Sequence, residues 1–305
     1  MVQWVIEARE VSQSLWQSSS GSGGFFVALK SSQEMFLACL APTEPAKQPL
    51  FERCSAFSKP THGDVLVMGK SSHLDSLGVR RHISYLPAEA SSSGLMRGHQ
   101  VLEFFAHLHP RGDLELAKTI AQQLDLDTSR RVAWMSTGMK QKLALAIALG
   151  NHAPLVILDE PTANLDPTVR FEVLRLIQRA KQQGQTLLFC SHVLDEIEEV
   201  CDHAAIVKKG RIVHEQDMHD MRALYRLRAT LPSNHGNTAF RYDLKASLIE
   251  GVSILSREDD QIVLSLEGDL DRYWTWLSQQ PFTRTRLEPF GLRSIYEQFH
   301  GREDA

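Results

Sequence analysis

Apolar positions along the first two-thirds of the chain alternate between short runs and helical spacings. Met35–Leu40, Asp64–Met68, His82–Leu86, Leu155–Leu158 and Thr186–Cys190 are strand-length apolar segments. Between about 89 and 150 the period changes. Val101–His109, Leu114–Leu124 and Lys140–Leu149 carry apolar residues at i, i+3 and i+4, the spacing of a helix face. Pro167–Gln183 predicts an amphipathic helix, and Pro49–Ser58 reads as a helix entered from a loop over Ala41–Lys47. His203–Lys208 and Arg211–His214 predict a strand pair around Lys209-Gly210. Residues 1–30 are β-rich, interrupted at Ser18–Gly24 by a flexible hairpin tip. Strands alternating with helices imply an α/β fold, with a mainly parallel sheet covered on both faces.

From about residue 222 the pattern becomes short alternating strands and single helices. Leu224–Leu231, Val252–Ser256, Gln261–Glu267 and Thr283–Glu288 predict strands; Leu270–Gln279 and Leu292–Gly301 predict helices. This reads as a small α+β domain over 223–305, following a larger domain over 1–218, with Asp217–Arg222 as the hinge. No internal repeat is visible.

Composition narrows the class. The 305 residues are 43% apolar and 23% charged, an ordinary globular balance that leaves room for two domains. A formal net charge of −4 without a dense Lys/Arg block argues against a nucleic-acid partner. No apolar run approaches the ~20 residues that span a bilayer, and Met1–Glu10 lacks the apolar core of a secretory signal. Cys39, Cys54, Cys190 and Cys201 lack C-x-x-C spacing and read as reduced thiols packed in a cytoplasmic core.

The sharpest chemical signal is Leu155-Val-Ile-Leu-Asp159-Glu160-Pro161-Thr162. A buried strand ending in two carboxylates puts them at the carboxyl edge of a parallel sheet, where α/β folds bind ligands. There Asp159 suits Mg²⁺, and Glu160 suits polarising a water for attack on phosphate. Met135-Ser136-Thr137-Gly138 opens the helix upstream. Alone it reads as an ordinary N-cap by Ser136, yet the same N–H groups and dipole end favour an anion. Cys190-Ser191-His192 closes a later strand, where His192 is placed to meet a terminal phosphate.

Together these residues resemble the ATP-binding cassette (ABC) ATPase family. Ser136 stands 23 residues before Asp159 and His192 stands 33 after it, as in exporter-type members. Asn164-Leu165-Asp166 matches the D-loop after the Walker B strand, and Ser-Thr-Gly-Met-Lys-Gln-Lys resembles the signature of bacterial multidrug-type ATPases. The resemblance covers residues 3–218, and Glu288–Gly301 is similar to the last helix of that subgroup's accessory domain. It implies a P-loop NTPase core with a helical signature subdomain over about 89–150. It also implies ATP and Mg²⁺ as cofactors, with Asp159 at the metal and Glu160 and His192 as catalytic residues. Ser136, Thr137, Gly138 and Asp166 become nucleotide contacts across a head-to-tail dimer. Trp16 falls near the position of the family's adenine-stacking aromatic, although a packed tryptophan explains it equally.

The phosphate loop departs from this family. Gly69-Lys70-Ser71-Ser72 looks like a P-loop but follows its strand directly, has Asp64 where the first glycine belongs, and opens no predicted helix. The aligned segment is Ala41-Pro-Thr-Glu-Pro-Ala-Lys47-Gln48-Pro49, in which only Lys47 matches. Ala41, Glu44 and Ala46 replace glycines that supply positive φ, and Pro45 and Pro49 remove two N–H donors. Glu44 adds a negative charge, and Gln48 replaces the Mg²⁺-ligating hydroxyl. Losing two hydrogen bonds to charged oxygens costs roughly 3–6 kcal/mol, or about 10²–10⁴ in affinity. Ala88 also stands where the family has the Q-loop glutamine.

An intact signature beside an eroded Walker A implies a chain that completes the ATP site of a second cassette, a paralogue with an intact Walker A. The pair would drive transmembrane permease subunits from the cytoplasmic face of the membrane. The alternative is a non-hydrolysing regulatory subunit of the same kind of complex. A soluble ABC protein of repair or translation is disfavoured, because no coiled-coil insertion separates Ala88 from Ser136.

Overall fold

The computed structural model describes residues 3–12, 25–31, 36–40, 62–87, 94–208, 211–222, 224–231, 248–258, 260–293 and 295–296. The chain divides into two compact units, Met1–Glu215 and Gln216–Ala305. The expected phosphate loop with Lys47, the helix over 49–58, Trp16, Ala88 and the Ser/Gly tip all lie outside the described residues.

In the first unit, one sheet has strand order β10-β9-β3-β8-β7-β6. Its strands are β3 (Phe36–Leu40), β6 (Ile83–Leu86), β7 (Leu155–Asp159), β8 (Thr186–Cys190), β9 (His203–Lys208) and β10 (Arg211–Asp217). All pairings from β9 across to β6 are parallel. Every residue of β7 is buried, the expected result for a strand covered on both faces. A second, antiparallel sheet holds β1 (Gln3–Ser12), β2 (Phe25–Ser31), β4 (His62–Val67) and β5 (Lys70–Ser71), in the order β2-β1-β4-β5.

The β4–β5 connection settles the status of Gly69-Lys70. Val67 pairs with Lys70, leaving Met68 (φ 50°) and Gly69 (φ 76°) as a two-residue turn. Positive φ at both central positions is the twist a tight hairpin requires. The lysine therefore starts a return strand rather than a phosphate-binding helix.

Helices α1 (Ser76–Arg80), α2 (Gly98–Leu108), α3 (Leu114–Gln123), α4 (Thr137–Leu149), α5 (Pro167–Gln182) and α6 (Leu194–Val200) accompany this sheet. Each long helix starts on a local signal. Asp113 accepts from the amides of Glu115 and Leu116, and Asp166 from that of Val169, with Pro167 occupying the first turn. Helix α5 buries Val173, Leu174, Leu176, Ile177 and Ala180 as a single stripe.

Helix α4 differs from its predicted one-faced pattern. Gln141, Leu143, Leu145, Ala146, Ala148 and Leu149 are all buried, because α2, α3, α5, β6 and β7 surround it. Its C-terminal carbonyls need partners, and side chains supply them. Ser84 Oγ donates to the Ala148 carbonyl at 2.7 Å and Asn151 Nδ2 donates to it at 3.0 Å.

The second unit carries β11 (Leu224–Thr230), β12 (Val252–Glu258), β13 (Gln261–Glu267) and β14 (Thr283–Pro289), in the order β12-β13-β11-β14. All pairings are antiparallel. Leu227, Ala229, Ile262, Leu264 and Leu266 face Tyr273 and Trp276 of α8 (Asp271–Ser278) in one core. Within the segment expected to be the hinge, Met218–Arg222 forms a short helix, α7, with Met218 and Met221 buried. Two apolar residues three apart on one turn anchor the segment.

Candidate functional site

The register of the parallel strands assembles one edge. Leu86 pairs with Leu158, Asp159 with Cys190, and Cys39 with Cys190. The chain thus leaves β3, β8, β7 and β6 at one level, bringing Leu40, Ser191, Glu160 and Pro87 to the carboxyl edge. Asp159 is 2% exposed and Glu160 6%. Burial of two adjacent carboxylates is costly without compensating partners, and is usual where they serve a ligand.

Glu160 turns off the strand in the left-handed region, with φ 48°. Its amide still donates to the Cys190 carbonyl at 2.9 Å, which extends the β7–β8 ladder by one bond. A non-glycine residue there costs of order 1 kcal/mol. The turn aims the Glu160 carboxylate at His192, whose Nδ1 lies 2.7 Å from Oε2. With Nδ1 donating to Glu160, the other imidazole nitrogen is the one left to face a ligand. The imidazole is exposed while the carboxylate is buried.

Side chains that sequence reasoning passed over hold this pair in place. Glu196 of α6 is buried, and its Oε2 accepts from Thr162 Oγ1 at 2.8 Å and from Ser191 Oγ at 3.0 Å. Ser191 Oγ in turn accepts from the Val193 amide at 3.0 Å. One carboxylate oxygen therefore ties the turn after Glu160 to the strand end before His192. Gln141 of α4 donates from Nε2 to the carbonyls of Glu160 (3.2 Å) and Pro161 (3.1 Å). Sequence pattern marked neither, since it assigns a polar Gln141 to solvent and gives Glu196 a helix of only seven residues.

The N-terminus of α4 is open. Ser136 caps it, accepting from the Met139 amide at 3.2 Å, and Ser136 and Thr137 are exposed. Gly138 sits where a β-carbon would lie 3.0 Å from the Asn164 carbonyl. Asn164 itself takes φ 60°, a conformation asparagine tolerates better than most residues. The close approach places the start of α4 beside the Asn164–Asp166 turn. Asp166 caps α5 and is exposed.

Among the described residues no group of three or more His, Cys, Asp or Glu side chains could hold a metal ion alone. Asp159 with Glu160 is a donor set of the kind Mg²⁺ uses, one or two carboxylates completed by phosphate oxygens. Cys190 and Cys201 are buried thiols. No described helix is long and apolar enough to cross a membrane.

A separate concavity of about 540 Å³ lies between α1, β6, α2 and α4. Leu77, Arg80, Tyr85, Phe105, Leu108 and Ile147 are among its lining residues. Leu77, Phe105 and Leu108 are exposed, so this is an apolar surface with a basic rim.

Residues 47–163 match the sequence model of the ABC transporter family. An uncharacterized ABC transporter ATP-binding protein of Bacillus subtilis, YxlF, is 32% identical over 191 residues, covering 61% of this chain and 63% of that protein. The probable multidrug ABC transporter ATP-binding protein YbhF of Escherichia coli is 28% identical over 224 residues, covering 72% of this chain and 38% of that protein. The chain thus spans less than two-thirds of the length of each. The cassette MJ0796, solved as a dimer bound to ADP and Pi, superposes with a TM-score of 0.60 at 19% identity, over 70% of this chain and 98% of that one. The fold is that of an ABC ATPase, and the chain carries an ABC transporter ATP-binding domain.

Proposed function

We propose that this chain is the nucleotide-binding subunit of an ABC exporter and that its signature helix completes the ATP site of a partner cassette. The domains in this reading are residues 1–218 for nucleotide and 223–305 as an accessory domain. One observation carries it: the N-terminus of the buried helix α4 presents exposed Ser136 and Thr137, while Ala41–Pro49 has no glycine with which to wrap a phosphate.

The chemistry follows from the residues. A bound nucleotide supplies the phosphate chain and Mg²⁺ the charge that offsets it. Toward a partner's nucleotide, the free amides at the start of α4 and the Ser136 hydroxyl stabilise phosphate oxygens. At this chain's own edge Asp159 is the metal-side carboxylate, and Glu160, held by His192, is the base for an attacking water. The eroded loop leaves that edge with weakened nucleotide affinity. The apolar concavity beside α2 suits a helix of a transmembrane subunit, with Arg80 and Arg81 meeting acidic positions on it. The multidrug designation of the Escherichia coli relative supports export.

ATP hydrolysis by the purified chain tests the reading. Alone it should be near background, and the complex with a glycine-rich partner cassette should hydrolyse ATP in a manner lost on Ser136→Arg. Robust turnover by the single chain, abolished by Glu160→Gln, would overturn it. Unchanged turnover of the complex after Ser136→Arg would favour a purely regulatory subunit.

A further inference from the structure

Trp134 is 72% exposed, two residues before Ser136. It ends the 3-10 turn Val132–Trp134, which is pinned to the Gly94–Met96 segment. Val132 is buried and its amide donates to the Met96 carbonyl at 2.9 Å, while the Ala133 amide donates to the Gly94 carbonyl at 3.2 Å. The indole is therefore presented by a fixed backbone. Its exposure leaves a large apolar face in solvent that burial would have stabilised. The Arg131 guanidinium carbon lies 5.5 Å from the ring centroid, a cation–π pair that orients the ring and keeps positive charge beside it.

The placement matches the dimensions of a nucleotide. Met135 (φ −80°, ψ 139°) and Ser136 (φ −63°, ψ 164°) are extended. Trp134 and Ser136 Cα atoms are consequently about 7 Å apart, the span of two extended residues. A triphosphate and ribose separate a terminal phosphate at Ser136 from its base by more than this, and the reach of the indole covers the remainder. A flat aromatic with an adjacent guanidinium is the chemistry that takes a base and its phosphates together.

We propose that Trp134 stacks on the base of the nucleotide whose terminal phosphate Ser136 contacts, with Arg131 beside the phosphate chain. This rests on the reading that Ser136 acts on a partner's nucleotide. It adds a base contact to the phosphate contact, so this chain influences which nucleotide its partner holds.

The test is steady-state turnover of ATP and of UTP by the native complex of this chain with its partner cassette and membrane subunits. Trp134→Ala should raise the KM for ATP about five- to tenfold, with a smaller rise for UTP and kcat within about twofold, because purines stack more strongly. Trp134→Phe, which keeps an aromatic face, should stay within about twofold of wild type. Unchanged KM values in Trp134→Ala, with turnover still lost in Ser136→Arg, would overturn the stacking role and leave the trans reading intact. Failure of the Trp134→Ala complex to assemble would make the indole a protein contact and also overturn the proposal. Turnover that survives Ser136→Arg removes both readings.

Discussion

Glu196 Oε2 lies 2.8 Å from Thr162 Oγ1 and belongs to a carboxylate that is 5% exposed. The same oxygen takes the Ser191 hydroxyl, so one buried acceptor serves both segments that flank the Glu160–His192 pair. Glu196→Ala leaves two buried hydroxyls without this acceptor and should destabilise the domain by about 2–4 kcal/mol. Glu196→Gln keeps one carbonyl oxygen and should lose less than half of that. Urea unfolding of the two variants measures the difference; equal losses would mean that the charged carboxylate itself is needed, and that a neutral acceptor of the same shape does not replace it.

Gln141 makes a parallel case from the other side of the turn. Its amide donates to the Glu160 and Pro161 carbonyls inside a helix that is otherwise apolar at its buried positions. Gln141→Leu preserves much of the volume but removes the donor, at a cost of about 1–3 kcal/mol for the buried carbonyl left short of a partner. Combining it with Thr162→Val gives a double-mutant cycle. Coupling of at least about 0.5 kcal/mol is expected, because both side chains hold one turn.

These two side chains mark where sequence pattern stops being informative. The β7 carboxylates were legible because an apolar run ending in Asp159-Glu160 has a single natural place, the carboxyl edge of a parallel sheet. The cap at Ser136 and the Pro167 helix start were legible from local chemistry, and so was the rejection of Gly69-Lys70 as a phosphate loop; that Met68 belongs to the turn rather than the strand was not. Gln141 and Glu196 were not. Periodicity assigns polar residues to solvent, and only the packing of α4 and α6 against the strand ends shows that these two face inward. Helices α1 and α6 were missed because one or two turns carry too few apolar positions to define a face. The Met218–Arg222 helix hides behind its charges, with Met218 and Met221 giving it a buried side.

Gly150 supplies a steric prediction. A β-carbon there would lie 2.4 Å from the Ala146 carbonyl oxygen and 2.5 Å from the Ala117 β-carbon, where α3 crosses the end of α4. Neither neighbour is a flexible side chain that can swing aside. Gly150→Ala should therefore force the helices apart and cost about 1–3 kcal/mol, despite the usual preference of helices for alanine. Thermal unfolding detects it, and Gly184→Ala is the contrast. Gly184 follows α5 with φ 86° and open space around it, so its penalty comes from backbone conformation alone.

His109 gives the domain an acid-sensitive point. Burial is the main cause that holds its imidazole below the ordinary histidine pKa; the nearby charges of Arg111 and His82 act in the same direction, and the carbonyls of Ile83 and Arg80 oppose them. The neutral ring accepts the Arg111 amide at Nδ1, 3.1 Å away, a bond that protonation of that nitrogen would break. A pKa lower in the folded than in the unfolded chain means that the unfolded state binds the proton first. The stabilising contribution is therefore complete above the unfolded value near 6.5 and declines as pH falls through the folded value. His109→Asn keeps an acceptor for the Arg111 amide and removes the titration. Its unfolding midpoint in urea should fall less than that of wild type between neutral pH and pH about 5, where an ordinary histidine becomes charged. Identical pH profiles would show that another group carries the acid sensitivity.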